Sequence, residues 1–135
     1  MSDFALDPRI AADTLPVAEL TLCTVRLKLD ANFSWILLVP RIAYTTEIVD
    51  LAPEHRQALT DDIVRASGAL RASCACDKLN IASLGNAVSQ IHVHVIARLF
   101  NDVAWPKPVW GVAPAKDYQP GEAEALVAKL AARLK

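Results

Sequence analysis

Residues 89–98, SQIHVHVIAR, alternate along an extended chain. Gln90, His92, His94 and Ile96 fall on one side, and Ile91, Val93, Val95 and Ala97 on the other. The pattern predicts a strand with one aliphatic face and one polar face that carries two imidazoles. The same period of two runs through LTLCTVRLKLD (20–30), and SWILLVPR (34–41) is an apolar run closed by Pro40; with the polar bend DANFS between them they predict a hairpin. DKLNIASLG (77–85) reads as a further strand, joined to the histidine strand as an antiparallel pair by a tight turn at Gly85 and Asn86. Helical spacing appears in APEHRQALTDDIVRASGALRASCAC (52–76), where Leu59, Ile63, Ala66, Leu70 and Cys74 share a stripe and Pro53 suits the first helical position. GEAEALVAKLAARLK (121–135) repeats that spacing. DPRIAADTLP (7–16) reads as a short helix capped by Asp7 and stopped at Pro16.

Strands joined by short turns, with one long helix interposed and another at the end, define an α+β class: a mostly antiparallel sheet covered by helix on one face. The other face is expected to stay open and display His92 and His94. Residues 101–120 hold four of the eight prolines and two of the three tryptophans, Trp105 and Trp110. That stretch is too broken for regular structure and too aromatic for a loose linker, so it predicts an ordered loop. Without repeats or composition shifts, residues 1–135 read as a single domain.

Composition narrows the function. Fourteen basic against fifteen acidic residues give a net charge of −1 with no basic tract, which argues against extended nucleic acid but leaves room for a small phosphorylated ligand held by a few donors. MSDFALDPRIAADTL lacks the pattern of a secretory signal, and no window reaches the roughly 18 apolar residues of a membrane span, so a cytoplasmic protein is expected. Cys23, Cys74 and Cys76 show no CxxC spacing and read as reduced, packed thiols.

Two histidines at i and i+2 on a strand lean into the same space, with Cα atoms about 6.5 to 7 Å apart. Three uses are open to them. They can be half-exposed and satisfied by water or carbonyls. They can bind a metal, but His55 on the long helix is a poor third ligand and the cysteines precede the strand pair, so no metal and no cofactor is expected. Or one imidazole can attack a phosphoryl centre while the other hydrogen-bonds the phosphate.

KLNIASLGNAVSQIHVHVIAR resembles the signature of the histidine-triad (HIT) superfamily: alternating histidines and apolar residues, preceded by a strand with Asn-x-Gly and a Gly-Gln-Ser/Thr-Val turn. The hairpin ending in WILLVPR, the long helix and the strand pair extend the likeness over roughly residues 20–100, and the chain resembles bacterial HIT and diadenosine polyphosphate hydrolase-like proteins. The resemblance implies a sheet of about five strands and a homodimer. It implies hydrolysis or transfer at the α-phosphate of adenylates, nucleoside phosphoramidates or dinucleoside polyphosphates, with a purine nucleotide bound and a histidine nucleotidylated on the way; a non-catalytic nucleotide sensor is the alternative. By position His92 matches the nucleophile and His94 the phosphate contact. Asn80 and Gly85 match nucleotide-binding positions, and Asp30 lies where an acidic residue holds ribose, although a turn aspartate explains it equally well. Three positions depart from the pattern. Gln90 replaces the first histidine, Asn86 a glutamine, and Ala87 a hydroxyl residue that reaches the leaving group. Gln90 cannot titrate, but its backbone carbonyl can still orient His92. Losing the hydroxyl predicts a slower or redirected enzyme, by on the order of 10²-fold.

Overall fold

The computed structural model describes residues 3–135. After a short helix α1 (Pro8–Ala12) come strands β1 (Thr14–Glu19), β2 (Cys23–Lys28) and β3 (Ser34–Pro40), then the long helix α2 (Pro53–Ser73). Strands β4 (Lys78–Ala82) and β5 (Val93–Arg98) follow, and helix α3 (Glu122–Arg133) ends the described chain. The five strands form one sheet in the order β1-β2-β3-β5-β4, antiparallel at every pairing, so the α+β class and the strand number hold. α2 carries the chain across the sheet to the far edge, where β4 forms, and β5 then inserts between β4 and β3.

Two predicted elements change. The helix expected over 7–16 stops at Ala12, and Thr14–Glu19 forms an edge strand instead. Pro16, rather than ending the helix, sits in this strand, where the β1/β2 register shifts between Pro16 and Ala18. An edge strand with a bulge is where proline, lacking an N–H, is tolerated. The tight turn expected at Gly85 and Asn86 is instead a longer loop, because β4 ends at Ala82 and β5 begins only at Val93. Ser83 Oγ donates to the His92 carbonyl (2.9 Å) across the mouth of that loop. The predicted caps hold: Asp7 accepts from the Arg9 N–H, and Pro8 and Pro53 open α1 and α2.

Alternation along β3 and β5 assigns the two sides of the sheet. Ile36, Leu38, Ile91, Val93, Val95 and Ala97 join the core beneath α2 and α3. Trp35, Leu37, Val39 and Ile96 form a second, smaller cluster with Ile10, Phe33, Ala104 and Val109. The face expected to be open is therefore covered, by α1 and by the 101–110 loop. Of the three thiols, Cys23 is buried while Cys74 and Cys76 are partly exposed, and all are free.

Candidate active site

His94 faces Leu37 across the β3/β5 pairing, two residues along from the Trp35–Ile96 pair and on the same face, so Trp35 reaches it along the diagonal. The Trp35 Nε1–H donates to His94 Nδ1 at 3.0 Å. Indole nitrogen only donates, so His94 Nδ1 must carry a lone pair and the neutral ring keeps its proton on Nε2. Burial, then His92 and Lys28, push the His94 pKa down to about 4, which keeps the ring neutral at physiological pH. His92 has the opposite arrangement. Its Nδ1 lies 2.6 Å from the Gln90 carbonyl, an acceptor, so Nδ1 donates and Nε2 of the neutral ring is left with its lone pair. The two rings meet edge to face with centroids 4.9 Å apart.

Each histidine is only 7% exposed. Both border a cavity of about 140 Å³ whose wall includes Arg9, Lys28, Trp35 and Trp110. Trp110 closes one side, 5.0 Å from the His94 ring centre. Asp13 also lines the cavity and pairs with Lys28 at 3.8 Å, so the wall offers two cations, one carboxylate and the neutral His94 ring, a set that suits an anion; the space is of phosphoryl size, well under the about 300 Å³ at which small-molecule pockets begin.

The other residues singled out in the sequence disperse. The Gln90 side chain is spent on the backbone: its Oε1 accepts from the Asp7 N–H and its Nε2 donates to the Ala5 carbonyl, both at 2.8 Å. Asn80 shares the histidine face but lies outside the cavity wall. Its Oδ1 accepts from Arg98 Nη1 (2.8 Å), and Arg98 is in turn forked onto Asp102. Asp30 is a buried turn aspartate whose Oδ1 accepts from the backbone of Asn32 and Lys116. Gly85, with φ of +75°, and the exposed Asn86 lie in the loop between β4 and β5. Trp105 meets Phe100 edge to face and the Arg98 guanidinium lies over its ring, so of the two loop tryptophans only Trp110 borders the cavity. Trp35, Lys28 and Arg9 join the site without a motif of their own to mark them. Lys28 and Trp35 extend the alternating polar side of β2 and the His side of β3, a signal that was available once the strands were aligned. Among the described residues no group of three or more His, Cys, Asp or Glu could hold a metal, and no helix is long and apolar enough to cross a membrane.

An antiparallel α+β sheet that presents an alternating His-Val-His strand to an anion-sized cavity defines a histidine-triad type of protein. The HIT domain profile matches residues 10–101, and the chain belongs to that family. Among solved structures it is similar to a histidine triad protein from Bradyrhizobium japonicum (42% identity, 98% of each chain covered, TM-score 0.95). It is also similar to one from Sinorhizobium meliloti 1021 (37%, 99% of each chain, 0.94) and one from Marinobacter aquaeolei VT8 (40%, 97% of this chain and 96% of that one, 0.92). Among curated proteins, no sequence is significantly similar to it.

Proposed function

We propose that the protein hydrolyses or transfers nucleotidyl groups at the α-phosphate of adenylates, nucleoside phosphoramidates or dinucleoside polyphosphates, with His92 as nucleophile. The observation that carries this reading is the opposed tautomers of the two rings. His92 Nε2 has a lone pair to attack phosphorus, and His94 Nε2 has a proton to donate to a phosphoryl oxygen as charge grows there. In the first step the N–P bond forms and the bond to the leaving group breaks; the leaving group departs with the bonding pair and is protonated by water. Water then attacks phosphorus, releasing the nucleoside monophosphate and restoring His92. No metal enters this scheme. The working form is a homodimer, as the resemblance implies, and its place the cytoplasm, as the sequence pattern leads one to expect.

A second reading, a nucleotide sensor without turnover, is favoured by the side-chain bonds that hold Gln90 on backbone groups and by the small cavity. Incubation with adenosine phosphoramidate and diadenosine polyphosphates separates the two. Release of AMP by the wild type, with an AMP adduct on His92 seen by mass spectrometry and lost in His92→Asn, is expected. Saturable AMP binding with equal inertness of both proteins would select the sensor.

A further inference from the structure

The Gln90 side chain stands where the motif has its first histidine, and both ends of its amide hold residues 5–7. Asp7, so fixed, turns its carboxylate to one neighbour. Oδ1 accepts from the Arg9 backbone N–H (2.8 Å) and from Arg9 Nε (3.3 Å), and Oδ2 accepts from Arg9 Nη2 (3.3 Å). Arg9 Nη1 donates to the Ala87 carbonyl at 3.1 Å, which ties the same guanidinium to the loop that leads into His92. Arg9 thus has bonds on both flanks and forms part of the wall of the histidine cavity. A guanidinium carries five N–H donors, and these contacts use three of them. Two remain for a ligand.

We infer that Arg9 is a phosphate-binding residue of this protein, and that Gln90 is a positioning residue which, through Asp7, holds Arg9 at the cavity. This rests on the cavity being a phosphoryl site, as proposed above. The substitution of Gln for His then has a physical consequence of its own. An amide both donates and accepts at once, so a single side chain can clasp the Ala5 carbonyl and the Asp7 N–H, whereas a neutral imidazole offers one donor and one acceptor on opposite sides of a rigid ring. The titrating group of the motif is exchanged for a clasp, and the clasp brings a permanent cation. With 64% of the Arg9 side chain exposed, its contact is screened and modest in size, at about fivefold in affinity.

The test is a titration with inorganic phosphate, read on the ring nitrogens and carbons of His92 and His94 by NMR, for wild type, Arg9→Gln, Arg9→Lys, Gln90→Met and the Arg9→Gln/Gln90→Met double variant. Phosphate is expected to move both rings in the wild type. Arg9→Gln should weaken binding about fivefold, Arg9→Lys should recover part of the loss, and Gln90→Met should weaken binding to a similar degree while adding nothing in the double variant. Wild-type affinity in Arg9→Gln overturns the inference while the phosphoryl site stands. Losses that multiply in the double variant overturn the positioning role of Gln90. Rings unmoved by phosphate in the wild type overturn the site reading and the inference together. Where Gln90→Met does not fold, Asp7→Asn tests the same delivery, with equal loss expected and unchanged affinity overturning it.

Discussion

At the scale of single residues, the site depends on which ring nitrogen holds a proton. His94 is the clearer case, since one indole N–H decides it. Trp35→Phe keeps an aromatic body but leaves a buried nitrogen without its donor, so a loss of about 1–3 kcal/mol in stability is expected. The Nδ1 and Nε2 chemical shifts of His94 should also move toward those of a tautomer mixture; unchanged shifts would show that Trp35 does not set the tautomer. The same burial has a consequence for pH. His94 is neutral in the folded protein down to about pH 4, whereas its ordinary value is 6.5, so the unfolded chain binds an extra proton between these limits. Stability from this group is full above about pH 6.5 and is lost as pH falls toward 4, by about 3 kcal/mol if nothing else intervenes. Denaturant midpoints measured between pH 7.5 and 4.5 should fall accordingly, and the slope should flatten in His94→Asn. An equal slope in that variant would assign the acid sensitivity to other groups.

At the scale of elements, the loop after β5 shows how a segment without regular structure is held firmly enough to wall a cavity. Arg98 is 1% exposed, and its guanidinium lies between the rings of Phe33 and Trp105. Asp102 binds its Nε and Nη2 and accepts from the backbone of Leu99, Ala104 and Trp105, which winds the start of the loop around one carboxylate. That partner holds the Asp102 carboxyl down at about 2. Asp102→Ala leaves a buried cation unpaired and is expected to cost about 3–5 kcal/mol. It should also loosen the Trp110 side of the cavity, seen as a red-shifted tryptophan emission before global unfolding. A loss under 1 kcal/mol would mean that water replaces the carboxylate.

The elements also show what the sequence could convey. Strict alternation made β5 and the two sides of the sheet legible, because a period of two has one meaning once a core covers one side. The long helix was legible for the same reason at its own period. β1 was not, since a proline four residues beyond a short helical run looks like its stop, and only the pairing with β2 shows that it lies on an edge. Asn80 and Asp30 escaped for a related reason. A polar side chain in a motif is free for a ligand only if no distant donor claims it, and Arg98 and Lys116 are 18 and 86 residues away along the chain.

At the scale of the whole molecule, the question is how a nucleotide meets a nitrogen that the fold nearly covers. A cavity of about 140 Å³ accommodates a phosphoryl group, while the nucleoside must lie beyond it or displace a wall. Most of the wall is sheet or the clasped segment around Arg9. Val88 and Trp110 lie on loops instead, and Trp110 is the larger: it is 37% exposed, on a stretch with no ladder of backbone hydrogen bonds, and it meets Trp35 and His94 only edge to face. If entry occurs there, AMP should change tryptophan emission saturably, whereas inorganic phosphate, which fits the existing space, should bind with little change. Trp110→Ala should lose most of the AMP-induced signal and admit AMP more tightly, since the widened cavity no longer requires an aromatic side chain to leave a packed position. Weaker AMP binding in Trp110→Ala would make that indole a surface on which the nucleoside rests. The fold would then hold its nucleotide against Trp110 rather than behind it.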